Sequence, residues 1–325
     1  MTTVAVLYQV SPRFPNVIGE RHIQMIQESF PDVRVVQAET EQELIAQGIN
    51  AEILLTWGLY RPNEYLNYAS NLQWVHSLSS GVDGLVNSIG NLPVKLSTTK
   101  GIHGLPMADH VLGYILSFLR GFPTIYKQQQ KRIWQKLNYP GPQESKGKTV
   151  GIIGMGEIGR EIARKCKLFE MRVLGVKRTP APSEFVDEMY GLNEMDKVLQ
   201  VSDFVVILIP LTPDTVHNIN EEKLRRMKKT AYLINVGRGP VVDEEALIKV
   251  LKEGAIAGAA LDATEVEPLS ETSPLWGLDN VIITPHMAAD SPFYMDRAFQ
   301  VFYANLRHFL QGERLQFEVT MDTKY

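Results

Sequence analysis

Two series of short apolar runs alternate with amphipathic segments along the chain. The first series extends from Thr3 to about Ser97, and its predicted strands are VAVLYQ, VRVVQA, AEILLTW, QWVHSL and VKLST. The second extends from Thr149 to His286, with predicted strands TVGIIG, RVLGV, DFVVILI, AYLINV, AGAAL and VIIT. Near-continuous apolar strands are typical of parallel sheets that helices cover on both faces. The pattern predicts an α/β protein with two parallel-sheet domains.

Two long helical patterns define how the domains connect. The segment Leu105–Arg120 is apolar on nearly every face, which predicts a buried helix between the domains. A final helix is predicted from Ser291-Pro292 to Gly312, and its apolar stripe consists of Tyr294, Ala298, Val301 and Phe302. The tail after it is too short to form a domain, so this helix is expected to pack back on the first domain. We therefore predict a discontinuous domain of residues 1–98 and 292–325, and a second domain of residues 99–291.

Composition narrows the class of function. A chain of 325 residues with 44% apolar residues fits two domains, and its net charge of -4 argues against a nucleic-acid or membrane-surface binder. The single cysteine, Cys166, excludes an intrachain disulfide and is expected to be a buried apolar filler. The N-terminus lacks a signal-peptide pattern, and no run approaches ~18 apolar residues. These features predict a soluble cytoplasmic protein that acts on a small molecule, and no metal site is predicted.

A glycine-rich turn follows the first strand of the second series. In GIIGMGEIGR, the glycines Gly154, Gly156 and Gly159 form G-x-G-x-x-G between an apolar strand and a helical segment. In that setting the glycines allow a tight turn, close approach of a pyrophosphate, and close packing of helix on strand. The amides of Glu157 and Ile158, at the helix N-terminus, would face the phosphates. The turn predicts a dinucleotide site in a Rossmann-type domain.

The next strand, VLGV, lacks the acidic residue that usually binds the adenosine ribose. It closes on Lys177, Arg178 and Thr179 instead. A 2′-phosphate would be repelled by a carboxylate and bound by a guanidinium, so this sequence favours NADP(H) over NAD(H). The alternative is a solvated turn whose two cations face water.

Reactive side chains stand where several apolar runs of the second series stop. Arg238 follows LINVG, Asp262 follows GAAL with Glu267 soon after, and His286 follows VIITP. Ligands of open parallel sheets bind beyond the carboxyl ends of the strands, so these groups are expected to converge there. Each could singly be a turn or loop residue, but their joint placement favours a site. The remaining histidines, of which His103 is the least certain, are interpreted as structural: residues 22, 76, 103, 110, 217 and 308.

The blocks GMGEIGR, LINVGRGPVVDEEAL, GAALDATEVEPL and VIITPHMAA resemble, in order, the signature blocks of the D-isomer-specific 2-hydroxyacid dehydrogenases. The resemblance implies that Arg238 binds the substrate carboxylate and carbonyl oxygen. It also implies that His286 donates or accepts the proton, that Glu267 pairs with His286, and that Asp262 holds the nicotinamide carboxamide. It implies a flavodoxin-like substrate domain beside the Rossmann domain.

Further contacts follow from the same resemblance. The loop SLSSGVDG is similar to one whose backbone N–H groups clasp the substrate carboxylate, which implies a role for Ser79, Ser80 and Gly81. Trp134, in KRIWQK, falls in a segment that reaches the substrate pocket of a partner subunit in related reductases, which implies a homodimer. The alternative for Trp134 is packing on its own domain. The resemblance places additional cofactor contacts at Ile209, Pro210, Val236, Gly237 and Ala288.

Three hypotheses of function follow. The leading one is an NADPH-dependent reductase of a small 2-oxo acid, similar to the glyoxylate and hydroxypyruvate reductases of the family. A short-form D-3-phosphoglycerate dehydrogenase is the alternative within the same chemistry. A dinucleotide-sensing interaction protein, similar to corepressors on this scaffold, is the alternative from another class. Formate dehydrogenases of the fold resemble the chain less, because they carry glutamine at the position of Glu267.

Overall fold

The structure, a computed structural model, describes residues 1–7, 18–58, 60–138 and 141–319. Contacts divide the chain into two compact units, Met1–Ile102 with Ser291–Tyr325, and His103–Asp290. Within the described part no helix is long and apolar enough to cross a membrane.

The first unit contains one five-stranded sheet, and the second contains one seven-stranded sheet. In chain order the elements are β1 (Thr2–Leu7), α1 (Glu20–Ser29), β2 (Val33–Ala38), α2 (Glu41–Ala46), β3 (Ile53–Thr56), α3 (Asn63–Tyr68), β4 (Trp74–Ser77), α4 (Asp83–Ile89), β5 (Lys95–Thr98), α5 (Gly104–Arg120), α6 (Phe122–Gln130), β6 (Thr149–Ile153), α7 (Glu157–Leu168), β7 (Arg172–Val176), β8 (Glu188–Tyr190), α8 (Met195–Val201), β9 (Phe204–Ile207), α9 (Glu221–Arg226), β10 (Tyr232–Asn235), α10 (Glu244–Lys252), β11 (Gly258–Leu261), β12 (Val281–Ile283) and α11 (Tyr294–Leu310).

Both sheets are parallel throughout their described pairings, which confirms the predicted fold class. The first sheet has the order β2-β1-β3-β4-β5, the flavodoxin-like arrangement. The second has the order β12-β11-β10-β9-β6-β7-β8, in which the order reverses between β6 and β9 as in a Rossmann fold. The carboxyl ends of β6 and β9 therefore form the edge where such a fold binds its ligand.

Helix α11 packs on the first sheet. Its buried residues join a core with Val4, Leu55 and Trp74, and the Trp74 ring stacks on Phe302 with centroids 5.4 Å apart. The predicted stripe is correct at three of its four positions, because Val301 is only partly buried while Phe299 is fully buried.

Helix α5 packs on the second sheet. It belongs to one core with β6 and α7, and Val111 and Ile115 are fully buried there. The prediction of a helix buried on nearly every face is wrong at Leu105, which is half exposed in the first turn. Cys166 of α7 lies in the same core, where burial raises the pKa of its thiol to about 12.

Strand positions agree with the apolar runs, but most strands are shorter than the runs. The run AEILLTW yields only β3, and DFVVILI yields only β9. Two residues of the predicted run VAVLYQ lie outside the described part of the chain. The short edge strand β8 was missed, since its sequence EMY has no apolar run. The final helix begins at Tyr294, two residues after Pro292, and ends before Gly312.

A chain of hydrogen bonds crosses the first sheet at His76, which is fully buried. Trp74 Nε1 donates to Ser97 Oγ at 2.8 Å, and Ser97 Oγ lies 2.7 Å from His76 Nδ1. His76 Nε2 lies 3.2 Å from Thr99 Oγ1, which donates to the Ser77 carbonyl oxygen. A neutral imidazole satisfies every link when Nδ1 accepts and Nε2–H donates. Burial lowers the pKa of His76 to about 3.

This buried histidine predicts that the protein loses stability in mild acid. The unfolded chain takes up a proton at His76 below about pH 6.5, whereas the folded chain takes it up only near pH 3. The free energy of unfolding should therefore fall by about 2 kcal/mol between pH 7 and pH 5 through this group alone. Urea titrations at the two pH values measure the loss. His76→Gln should reduce it and His308→Gln, on the surface, should not; an equal loss in His76→Gln would contradict the assignment.

Candidate active site

The glycine turn is built as a dinucleotide turn requires. Gly154 follows β6 with φ +117°, and a Cβ there would lie 2.8 Å from the Leu208 carbonyl carbon. A Cβ on Gly159 would lie 2.6 Å from the Gly154 oxygen, whereas one on Gly156 would meet no atom within 4 Å. The first and third glycines thus allow close packing, and open space lies beside the second, at the start of α7. A pyrophosphate fits this arrangement, facing the amides of Glu157 and Ile158.

The cations after β7 are exposed. Lys177, Arg178 and Thr179 follow the strand that pairs with β6, and all three side chains face solvent. Among the described residues, no carboxylate lies within ion-pair distance of Lys177 or Arg178. Within the described part of the chain, neither cation is therefore neutralised by an ion pair.

Arg238 stands at the carboxyl end of β10. Its Nη1 donates to the Gly237 carbonyl oxygen at 3.1 Å, and the amide of buried Asn235 donates weakly to the Arg238 and Ala263 carbonyls. Next to Arg238, a Cβ on Gly239 would lie 1.8 Å from the Thr264 oxygen. Asn235 and Gly239 therefore hold the arginine against the loop that carries Glu267.

Glu267 and His286 form an ion pair. His286 Nδ1 lies 2.7 Å from Glu267 Oε2, and both side chains remain partly exposed. Burial raises the pKa of Glu267, but the hydrogen bond and charge of His286, the amide of Thr264 and the charge of Arg238 together bring the pKa below its usual value. The carboxylate is thus ionised and accepts the Nδ1 proton, which leaves Nε2 of His286 for a ligand.

His286 has a left-handed backbone conformation with φ +51°. Asp262 accepts hydrogen bonds from the backbone of His286 and of the two residues after it. The Asp262 carbonyl accepts the His286 amide at 2.9 Å, and its carboxylate accepts the amides of Met287 and Ala288, each at 2.8 Å. The carboxylate is almost fully buried. Asp262 therefore holds the turn on both sides of the histidine, beyond any role toward a cofactor.

Two residues of α5, His110 and Tyr114, extend this network through Thr284. Neither of them was assigned to the site from the sequence. Thr284 Oγ1 donates to Asp262 Oδ1 at 2.5 Å, and it lies 2.5 Å from Tyr114 Oη and 3.2 Å from His110 Nε2. Burial lowers the pKa of His110, although Asp262 and Asp290 oppose the shift. His110 is thus a positioning residue beside the candidate site, because it contacts the Thr284 hydroxyl that donates to Asp262. The sequence Thr-Pro-His at residues 284–286 gives no sign of this contact.

His103, at the start of α5, lies close enough to Arg238 for their charges to interact. Burial, and secondly the charge of Arg238, lower the pKa of His103 to about 4. A second imidazole, neutral at pH 7, therefore belongs to the surroundings of Arg238. Outside this region, three histidines bond to carboxylates, namely His22 to Asp296, His217 to Glu265 and His308 to Glu313, whereas His76 bonds to the hydroxyls of Ser97 and Thr99.

The predicted carboxylate loop lies in the first unit, at the end of β4. The Ser79 hydroxyl donates to the Gly81 carbonyl at 2.9 Å and accepts the Gly58 amide at 3.1 Å. Within the described part of the chain, the backbone N–H groups of Ser80 and Gly81 donate to no acceptor. The loop thus offers two backbone donors, whereas the Ser79 side chain is used internally.

The other predicted contacts differ in exposure. Ile209, Val236 and Ala288 are buried beside the carboxyl ends of the second sheet, next in sequence to Pro210, Gly237 and Met287. In contrast, the side chain of Trp134 is fully exposed, in the segment that follows α6. The alternative of packing on its own domain is therefore wrong for Trp134. Among the described residues, no group of three or more acidic, histidine or cysteine side chains could hold a metal ion.

Comparison with known proteins agrees with this geometry. Residues 112–288 match the family model described as D-isomer specific 2-hydroxyacid dehydrogenase, NAD binding domain. A glyoxylate reductase of Pyrococcus furiosus is 35% identical over 308 residues, which cover 91% of each chain. A D-isomer specific 2-hydroxyacid dehydrogenase family protein from Aeromonas salmonicida is 32% identical, with a TM-score of 0.86 over 99% of this chain and 100% of that one.

A further solved structure is an NADPH-dependent glyoxylate/hydroxypyruvate reductase from Sinorhizobium meliloti, in complex with NADP and sulfate. It is 28% identical and has a TM-score of 0.82, with full coverage of both chains. The fold and these matches define an NAD(P)-dependent oxidoreductase. The chain belongs to the D-isomer-specific 2-hydroxyacid dehydrogenase family.

Proposed function

We propose that the protein reduces a small 2-oxo acid, of the size of glyoxylate or hydroxypyruvate, to the D-2-hydroxy acid with NADPH as hydride donor. The observation that carries the proposal is the cluster of Arg238, Glu267 and His286 at the strand ends of the unit that holds the glycine turn. The similarity to two reductases of glyoxylate supports the choice of substrate class.

In the proposed chemistry, Arg238 binds the acid and stabilises its charge, and His286 donates the proton. A bound nicotinamide cofactor supplies the hydride to the carbonyl carbon. Arg238 binds the carboxylate and carbonyl oxygen of the acid and stabilises the negative charge that develops on that oxygen. His286 gives the proton from Nε2 to the same oxygen, and Glu267 keeps the ring oriented through Nδ1. In the first unit, the amides of Ser80 and Gly81 bind the substrate carboxylate.

The residues proposed to hold the cofactor follow the carboxyl ends of β6, β9, β10, β11 and β12. Gly154, Gly156 and Gly159 admit the pyrophosphate, and the amides of Glu157 and Ile158 donate to it. Asp262 accepts from the nicotinamide carboxamide through Oδ2, because Oδ1 already accepts from Thr284 Oγ1 and the Met287 amide, whereas the Ala288 amide uses one lone pair of Oδ2. The proposed contacts around the ring are completed by Ile209, Pro210, Val236, Gly237 and Ala288.

The preference for NADPH is proposed to depend on Arg178, with Lys177 and Thr179 as further partners of the 2′-phosphate. Hydrogen bonds to charged groups contribute about 1.5–3 kcal/mol, so Arg178→Ala should raise the Michaelis constant for NADPH by about tenfold or more. The constant for NADH should stay unchanged, because NADH has no phosphate there. Arg172→Ala is the control, since Arg172 lies on β7, the strand just before Arg178, but pairs with Glu188. Equal effects on both cofactors would contradict the assignment.

We also propose that the protein is a homodimer in which Trp134 reaches the partner subunit. The support is a run of exposed apolar side chains on and after α6, namely Phe122, Tyr126, Ile133 and Trp134. Several large exposed apolar side chains within one short segment fit an interface between subunits. Sedimentation equilibrium should give twice the mass of one chain for the wild type and a weaker dimer for Trp134→Ala. A monomeric wild type at micromolar concentration would contradict the proposal.

The function is tested with a panel of acids and both cofactors. Purified protein is mixed with NADPH or NADH and with glyoxylate, hydroxypyruvate, pyruvate or 3-phosphohydroxypyruvate, and the absorbance of the reduced nicotinamide is followed. We expect turnover of at least one of the small acids, with a lower Michaelis constant for NADPH. Turnover of only the phosphorylated acid would favour a short-form phosphoglycerate dehydrogenase. Cofactor binding without any turnover would favour a dinucleotide sensor.

A further inference from the structure

Gly58 follows β3 by two residues and lies against two other segments of the first unit. Its amide donates to Ser79 Oγ at 3.1 Å, and its carbonyl oxygen accepts the amides of Gly84 and Leu85 at 3.0 and 3.1 Å. Gly58 thus contacts both the 79–81 loop and the start of α4. Neither the sequence patterns nor the resemblance singled out this residue.

The contact at Gly58 leaves no room for any side chain. A Cβ on Gly58 would lie 1.7 Å from the Gly81 carbonyl oxygen and 2.7 Å from Ser79 Oγ. A carbon and a carbonyl oxygen normally approach to about 3.3 Å, so the loop would have to move by more than about 1 Å. The obstacle is backbone, which cannot rotate away as the end of a long side chain could.

The Ser79 hydroxyl completes the contact. It accepts the Gly58 amide and donates to the Gly81 oxygen, the same atom that lies over Gly58. Below it, the Ser79 carbonyl accepts from Ser77 Oγ at 2.8 Å and from the Thr99 amide at 3.3 Å. The loop is therefore tied to the ends of β3, β4 and β5, and among the described residues its backbone donors without an acceptor are the amides of Ser80 and Gly81.

We propose that Gly58 and the Ser79 hydroxyl are positioning residues that fix the Ser80 and Gly81 amides and thereby set the affinity for the substrate carboxylate. This inference rests on the proposed function, in which those amides bind the acid. The resemblance implied that the backbone N–H groups of this loop, that of Ser79 among them, bind the carboxylate, whereas the Ser79 amide donates to Ser77 Oγ at 3.1 Å. Backbone donors bind an anion well only when they are held in place before it arrives, and displacement by about 1 Å can cost on the order of 10²-fold in rate.

The experiment compares three variants with glyoxylate and NADPH. Gly58→Ala should raise the Michaelis constant for glyoxylate by about tenfold or more, with a smaller change in kcat and an unchanged dissociation constant for NADPH. Ser79→Ala should raise the same constant several-fold, and Ser79→Thr, which keeps Oγ, should restore it. The matched control is Gly113→Ala, because a Cβ there meets no atom within 4 Å and the helix is exposed at that position.

The outcomes separate the inference from the proposed function. If Gly58→Ala does not fold, the pair Ser79→Ala and Ser79→Thr decides by itself. Active, folded variants whose Michaelis constants for glyoxylate equal that of the wild type would overturn the inference and leave the proposed function intact. A loss of kcat and NADPH affinity together would indicate a general structural role and would also overturn it. A wild-type protein that binds NADPH but reduces no 2-oxo acid would remove the proposed function, and the inference with it.

Discussion

His286→Ala should lower kcat by about 10²-fold or more while leaving the affinity for NADPH nearly unchanged. The substitution removes the proposed proton donor, whose Nδ1 lies 2.7 Å from Glu267 Oε2, and general acid catalysis contributes about 10²–10⁴-fold. It leaves the glycine turn and the cations after β7 in place. Steady-state kinetics with the preferred acid give kcat, and fluorescence titration of the reduced nicotinamide gives the dissociation constant.

The chain offers a closely matched control for that variant. His308 Nδ1 also lies 2.7 Å from a glutamate oxygen, that of Glu313, but in the first unit at the end of α11. His308→Ala removes the same kind of ion pair and should leave kcat unchanged. If the two variants had equal activity, His286 would not be the proton donor.

Arg238→Lys should reduce kcat/KM by about 10²-fold, with the Michaelis constant of the acid raised as well as kcat lowered. Lysine keeps the charge but loses the planar pair of donors that grips a carboxylate, and the loss of one donor to a developing oxyanion costs about 2.7–4 kcal/mol. The variant separates charge from geometry, because the net charge of the protein does not change. The two constants are measured with the acid varied at saturating NADPH.

Arg226→Lys is the control for this substitution. Arg226 is a surface residue that pairs with Glu222 and Asp196, and either cation can satisfy those contacts. Its kinetic constants should match those of the wild type. An unchanged Michaelis constant for the acid in Arg238→Lys would count against carboxylate binding by the guanidinium.

The sequence was sufficient to predict the parallel sheets, because strands that are buried on both faces consist of consecutive apolar residues. The strand β6 was predicted from TVGIIG and the strand β10 from AYLINV, with errors of one or two residues at their ends. The short strand β8 left no such mark, since an edge strand of three partly exposed residues needs no apolar run.

The convergence of Glu267 and His286 was predicted for a related reason. Both follow neighbouring parallel strands, and the carboxyl ends of such strands share one edge of a sheet. The positive φ of His286 was not predictable, because the Asp262 hydrogen bonds that maintain it join residues about 25 positions apart.

Contacts that depend on tertiary packing were also beyond the sequence. Gly58 reads as an ordinary loop glycine until its distance to Gly81 is known, and His103 reads as an isolated imidazole until α5 brings it close to Arg238. Ser79 was expected to bind substrate because the loop resembles a carboxylate clasp made of backbone N–H groups, yet its amide donates to Ser77 Oγ and its hydroxyl bonds to Gly58 and Gly81. The resemblance pointed to the loop as a whole and did not show which of its donors are already used within the protein.

The most direct test of the central claim is a crystal structure of the wild-type protein with NADPH and oxamate, an analogue of a 2-oxo acid that is not reduced. We predict that the Arg238 guanidinium contacts the carboxylate of oxamate, and that His286 Nε2 lies within hydrogen-bond distance of its carbonyl oxygen, with Glu267 still bound to Nδ1. An oxamate molecule bound away from Arg238 and His286, or a nicotinamide ring that faces away from them, would contradict the account.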